Sequence, residues 1–332
     1  MASLAEIRAK LQQNETRAAG GGFKGDNAIY PHWDIPEGST AKVRFLPDAD
    51  TKNDFFWVER AMIKLPFAGI KGQADSKPTV VQVPCMEMWA GEKCPILAEV
   101  RPWFKDKSLE AEGRKYWKKR SYLFQGFVHD NPLNEENSPE NPIRRFIIGP
   151  QIFNVIKAAL MDTEIEELPT SYDRGLDFSI TKTSKGGYAD YSTSKWARKE
   201  SALTSVERAA IDAHGLYNLS EFLPKKPTAV ELNVIKEMFE ASVDGQAYDP
   251  DRWSQYFKPA GFKAEGGDEE QGARSTTRAA ATSAPKATPR TDDDEVPFDV
   301  EDTPAVATSA PKPAATNAKA EDILAMIRNR QK

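Results

Sequence analysis

The sequence predicts a mixed α+β fold, mainly β with added helices: a small, antiparallel, partly open barrel with an inserted helix, a helical flank and a disordered C-terminal tail. Three observations predict it. Short apolar/polar alternations recur through the first 190 residues, as strands with one buried face require. A single helical stripe sits between two pairs of them. Composition then changes sharply after residue 262: of 32 aromatic residues, 31 lie before it, and Phe298 is the exception.

The elements run in order along the chain. Thr40 to Leu46 alternates, with Ala41, Val43 and Phe45 on one face and Lys42 and Arg44 on the other. Thr79 to Val83 is a β-branched run. Arg120 to Val128 and Ile143 to Ile148 read as strands flanking the Pro- and Asn-rich stretch from Asn131 to Pro142. Ile152, Val155, Ile156, Ala159 and Leu160 make one apolar helical face. Leu176, Phe178 and Ile180 alternate, then Ser184-Lys185-Gly186-Gly187 leads into Tyr188 to Tyr191, a hairpin with glycines at its turn. Residues 205–214 read as a helix stopped by Gly215. Thr228 with Glu231 forms a capping box before Val230, Val234, Ile235, Met238 and Phe239.

The ends differ from this core, which spans residues 21–262. In residues 1–20, Ser3 and Glu6 form a capping-box pattern, Leu4, Ile7 and Leu11 share a face, and Arg8, Lys10 and Arg17 lie beside them. Residues 263–319 contain no Leu, Ile, Met, Trp or Tyr, too little apolar surface to offset the entropy of ordering. In residues 320–332, Asp322 can cap a short helix with Ile323, Met326 and Ile327 on one side and Arg328, Arg330 and Lys332 at its end. No apolar run approaches the roughly 18 residues of a membrane span, and the first residues lack the order of a signal peptide.

Charge is informative by position. The chain has 45 Lys plus Arg and 50 Asp plus Glu, a net −5, which counts against a nucleic-acid binder only as an average. Residues 101–125 carry Arg101, Lys105, Lys107, Arg114, Lys115, Lys118, Lys119 and Arg120 against Asp106, Glu110 and Glu112. Trp103, Phe104, Tyr116, Trp117, Tyr122 and Phe124 are interleaved. Cations neutralise phosphates and exposed rings stack unpaired bases without demanding a sequence. The alternative is a solvated charged surface over ordinary core aromatics.

Catalysis has little footing. His32, His129 and His214 are scattered, and GxxxxGK[ST], HExxH and GxSxG are absent. Two cysteines, Cys85 and Cys94, cannot supply a disulfide framework or a Cys₄ metal cluster.

The order of these motifs resembles the single-stranded DNA-binding, helix-destabilising proteins of T-even-like tailed phages. The resemblance runs collinearly over about residues 36–245. It takes in Ala41 to Pro47, Cys85 with Cys94-Pro95, Lys118-Lys119-Arg120-Ser121-Tyr122, Asp130-Asn131-Pro132, the helix at Ile152 to Met161, the tyrosine hairpin through Ser194-Lys195-Trp196, and Asn218-Leu219-Ser220-Glu221. It implies an OB-fold core, a five-stranded partly open barrel with a small inserted subdomain, and a basic, aromatic-lined cleft. The DNA contacts carried over are Arg44, Arg114, Lys115, Lys118, Lys119, Arg120 and Lys195 for the backbone. Tyr116, Tyr122, Tyr188, Tyr191 and Trp196 are the stacking rings, with Trp103 and Trp117 less securely aligned. It further implies an N-terminal segment that meets the neighbouring protomer to give cooperative filaments. Coating would protect strands in phage replication, recombination and repair, in the cytoplasm of the infected bacterium.

The sequence departs from that family at its zinc subdomain, about residues 55–100. Leu97 stands where the pattern has its second clustered cysteine, and no His precedes Cys85 between Phe55 and Pro84. Two ligands cannot close a tetrahedral site, so the expectation is no cofactor, zinc lost, and a subdomain held by packing around Met86, Met88 and Trp89. Asp292-Asp293-Asp294-Glu295-Val296-Pro297-Phe298 resembles the acidic tip by which bacterial single-stranded DNA-binding proteins recruit partners, but 34 residues follow Phe298. The acids can instead compete with phosphate for the cleft. The terminal stripe of Ile323, Met326 and Ile327 is expected to dock on replication or recombination proteins. The alternatives in function are a single-stranded RNA-binding regulator and, from a different class, a metal-dependent nuclease.

Overall fold

The computed structural model describes residues 27–73, 76–135, 138–162 and 167–259. The expectations for residues 1–20, for the disordered tail at 263–319 with its acidic motif from Asp292 to Phe298, and for the terminal stripe at 320–332 lie outside the described residues.

The longest strand organises the rest. β4 (Lys119–Asp130) carries β5 (Arg144–Ile148) on one edge. Its other edge is shared end to end by β1 (Thr40–Leu46), paired from Leu46↔Gln125 to Lys42↔Asp130, and β2 (Val58–Phe67), paired from Val58↔Leu123 to Met62↔Lys119. Residues 47–57 bulge out between them. β1 continues to β6 (Phe178–Thr181) and β9 (Lys195–Trp196), while β2 continues to β3 (Thr79–Pro84). β7 (Thr183–Lys185) and β8 (Tyr188–Asp190) form a separate ribbon. Its turn needs positive φ at two successive residues, which Gly186 (62°) and Gly187 (83°) supply.

This arrangement corrects the five-stranded, partly open barrel. The sheet is mostly antiparallel, has seven strands among the described residues, and is not closed into a barrel. The reason is topological. β1 and β2 use the same edge of β4 and hand on to different neighbours, so the sheet ends at β3 on one side and β9 on the other. Sequence reasoning also missed β2 entirely, although Ala61, Ile63 and Leu65 alternate with Arg60, Met62 and Lys64.

Each branch buries its own core on one common face. Around β1, Phe45 packs on Phe124 (centroids 4.7 Å), Phe178 and Trp196, under helix α3 (Pro150–Leu160), whose Ile152, Phe153 and Ile156 are buried. Around β2 and β3 a second core gathers α1 (Pro95–Val100), α2 (Glu110–Tyr116), α5 (Ala229–Val243) and α6 (Pro250–Trp253). Met86 is buried there with Met88 and Trp89 packed against it, as the sequence suggested for the zinc-like region. Helix α4 (Ser205–His214) begins with a capping box at Thr204 and Glu207, ends at Gly215, and buries no residue completely.

The opposite face of the sheet is covered at one end only. Leu46, Phe127, Ile143 and Leu203 form a small third core beneath the segments around Tyr172 and Tyr217. Gln125 clasps that cover: its amide donates to the carbonyls of Pro47 and Tyr217, and its oxygen accepts from Tyr217 N. Among the described residues nothing comparable covers Arg60, Met62 and Lys64 at the β2 end.

Candidate nucleic-acid interface

The basic stripe is largely paired off within the chain. Arg114 bonds Glu110 at 2.8 Å, Lys115 bonds Glu112 at 2.5 Å, and Arg120 lies 3.4 Å from Glu59 on the adjoining strand. Glu87 takes both Arg101 (2.5 Å) and Lys118 (2.9 Å), which hold its carboxyl below the usual range despite the opposing effect of burial. The excess of eight cations over three acids along residues 101–125 therefore overstates the field, because Glu59 and Glu87 approach from outside that window. Lys119 and Arg120 remain half-buried, and Lys195 is exposed on β9.

Most of the aromatic rings named from sequence are core, which corrects their assignment as base-stacking surfaces. Tyr116 packs edge-on against Phe239 and shares a hydrogen bond of 3.3 Å with the Ser242 hydroxyl. Trp103 and Trp117 are buried in the same cluster. Tyr122 lies flat on Phe153, centroids 3.4 Å apart, and Trp196 packs against Phe178. All five rings are buried in one of the two large cores, so they are not open to bases. Arg44 is corrected likewise: its side chain is 0% exposed, with Nε donating to Asp177 Oδ1 at 3.0 Å and Nη2 to the Ser201 carbonyl at 2.7 Å.

Tyr188 and Tyr191 stay half-buried and accessible. Tyr191 is fixed by its backbone N–H donating to Gln151 Oε1 (3.0 Å) and by an edge contact with His32. Gln151 also donates to Asp190, so the first turn of α3 holds the β7–β8 ribbon. His32 is buried against Trp33 and Tyr191 with Nδ1 lacking a partner, and burial pushes its pKa down to about 4. Trp33 itself is 40% exposed, and its carbonyl accepts from Lys182.

A second aromatic ledge was not foreseen. Phe55, 57% exposed, lies over Trp57 with centroids 4.7 Å apart. Trp57 rests edge-on against Phe153, two residues along α3 from Gln151. The 47–57 bulge is stiffened beneath it: Asp48 accepts from Asp50 N, Leu219 N and Asn53 Nδ2, and Asn53 donates onward to the Trp57 carbonyl. Phe55-Phe56-Trp57 was visible in sequence, but one buried ring (Phe56) between two accessible ones is a pattern only the pairing register reveals. The two ledges thus flank the start of α3.

Cys85 and Cys94 are both buried in the β2–β3 core and share a thiol hydrogen bond. That bond, with backbone N–H donors, pulls the Cys94 thiol down, while its partner Cys85 is pushed up. Among the described residues no group of three or more His, Cys, Asp or Glu side chains is placed to hold a metal, and no helix is long and apolar enough to cross a membrane. No protein family's profile matches this chain, and no curated protein matches it.

Proposed function

We propose that this chain binds single-stranded DNA without sequence preference and coats it stoichiometrically. The observation that carries the reading is the accessible, tilted Phe55–Trp57 pair, set across α3 from Trp33 and Tyr191, which both pack on His32, and accompanied by Lys182, Lys195 and Arg120. Accessible rings beside cations suit unpaired bases, whose faces are closed off in a duplex. Binding only the unpaired strand lowers its free energy, so duplex melts with rising protein concentration. The finer fold reading is an opened OB-type core of β1, β2, β4, β6 and β9. In OB folds the loop between the first two strands and the loop between the last two frame the ligand. Here those loops are residues 47–57 and the β7–β8 ribbon, which are the segments bearing the ledges.

The test is titration of oligo(dT), oligo(U) and duplex DNA at several salt concentrations with the parent, Phe55→Ala and Trp57→Ala. Loss of a stacked base costs about 1–3 kcal/mol. Phe55→Ala should therefore weaken oligo(dT) binding roughly 5- to 150-fold while leaving the melting temperature unchanged, because Phe55 is exposed. Equal binding by both variants and the parent overturns the reading.

A further inference from the structure

The uncovered end of the sheet gathers cations on one face. Residues opposite one another in an antiparallel pair share a face, so Arg60↔Ser121, Met62↔Lys119, Met62↔Pro84, Lys64↔Gln82 and Pro66↔Val80 fix its composition. That surface presents Arg60, Lys64 and Lys119 around a half-buried Met62, with Ser121, Gln82 and Val80 beside them. None of these side chains is acidic. Lys119 lies diagonally from both Arg60 and Lys64, about 7–8 Å from each by sheet geometry.

Arg60 is the most informative member. Its Nε donates to the Ser121 hydroxyl at 3.2 Å, and among the described residues the guanidinium has no carboxylate partner. Its remaining N–H groups reach solvent. The crowding around it lowers its pKa from the ordinary value, with no neighbouring charge contributing. A guanidinium held by a hydroxyl and lacking an acid is a fork waiting for an oxyanion. The location identifies which one. β2 pairs with β3 only from Met62 onward, so at Val58–Arg60 it is a free edge where the two faces of the sheet meet. Trp57 is three residues away, about 10 Å along the strand. A chain whose bases rest on the ledge can pass its backbone around that edge.

We infer that Arg60, with Lys64, Lys119 and the Ser121 hydroxyl, binds successive phosphodiesters of the single strand on the open face of β2, β3 and β4. The inference rests on the single-strand reading and adds to it a backbone path on the side of the sheet away from both large cores.

The experiment is oligo(dT) titration at three or more salt concentrations with the parent, Arg60→Gln, Arg60→Lys and Lys64→Gln. Each phosphate contact removed lowers the slope of log K against log salt by about 0.7 for single strands. Arg60→Gln and Lys64→Gln should each show that loss at unchanged melting temperature, and Arg60→Lys should retain the parent slope. A parent slope in Arg60→Gln, while Phe55→Ala still weakens binding, overturns the phosphate path and leaves the ledge intact. A parent that does not bind oligo(dT) at any salt overturns the single-strand reading and this face with it.

Discussion

Arg44 and Arg60 stand on the same face of one sheet, sixteen residues apart, and have opposite fates. Arg44, opposite Phe127, is sealed beneath the chain around Gly175 and Ser201 and neutralised by Asp177. A Cβ at Gly175 would lie 2.4 Å from the Ser171 carbonyl and 2.6 Å from that of Pro169, besides meeting the Arg44 guanidinium, so glycine lets that cover close. Arg60, opposite Ser121, has no such cover and no acid among the described residues. The difference lies in the segments downstream of β1 and β2. β1 leads through β6 to segments that return across the face. β2 leads to β3 and to helices that all pack on the other side. Whether an arginine is structural or available is decided by the return path of the chain, and that is a long-range property.

The sharpest way to break the comparison is Asp177→Ala. It strands a fully buried guanidinium, and removing one partner of a buried pair costs about 3–5 kcal/mol. Arg60→Gln at the uncovered end should change stability by no more than about 0.5 kcal/mol. Urea unfolding of the two variants measures the contrast. If Asp177→Ala costs less than about 1 kcal/mol, the cover is not what holds that end together.

Two histidines extend the contrast to pH. His32 is buried and kept neutral, its pKa depressed by desolvation from 6.5 to about 4. Its stabilising contribution is present above the unfolded pKa and lost as pH falls from about 6.5 through 4. At about 1.4 kcal/mol per unit this amounts to roughly 3 kcal/mol. His129 belongs to the cover: Nδ1 meets Asp177 at 3.1 Å and Nε2 meets Glu207 at 2.6 Å, with Arg44 and Lys42 also near Asp177. The hydrogen bond to Asp177 is the first cause of its raised pKa. That contribution is complete below the unfolded pKa and disappears as pH rises through the raised value. Unfolding free energy against pH should therefore lose its acid-side slope in His32→Phe and its slope above about pH 6.5 in His129→Gln. Unaltered slopes in both variants would sink the two assignments.

How much was legible depends on the range of each signal. Alternation located β1, β3, β4, β5 and β6, the glycine pair located the β7–β8 turn, and the capping boxes at Thr204 and Thr228 mark two helix starts. These are local signals. β2 was not located, although its period of two is present in Ala61, Ile63 and Leu65. The candidate site was read less well. Tyr116, Tyr122 and Trp196 beside basic residues look the same in sequence whether the ring turns inward or out. That choice is made by strand register and by helices α3 and α5, dozens of residues distant.

The smallest effect probes the basic stripe itself. Glu87 is the shared partner of Arg101 and Lys118; Arg101 is half-exposed, while Lys118 and Glu87 are only 18% and 19% exposed. The half-exposed pair with Arg101 contributes about 0–1 kcal/mol, and Glu87→Gln keeps an amide oxygen as acceptor for Lys118, so the unfolding free energy should fall by no more than about 1–2 kcal/mol. The substitution should nevertheless unmask the charge of two cations beside the entrance to β4. Under the single-strand reading, the variant binds oligo(dT) more tightly than the parent at low salt and shows a steeper salt slope. If Glu87→Gln leaves both affinity and slope unchanged, the stripe at Arg101 and Lys118 is a solvated structural surface. The DNA-facing cations would then be confined to Arg60, Lys64 and Lys119 and to the lysines beside the tyrosine ribbon.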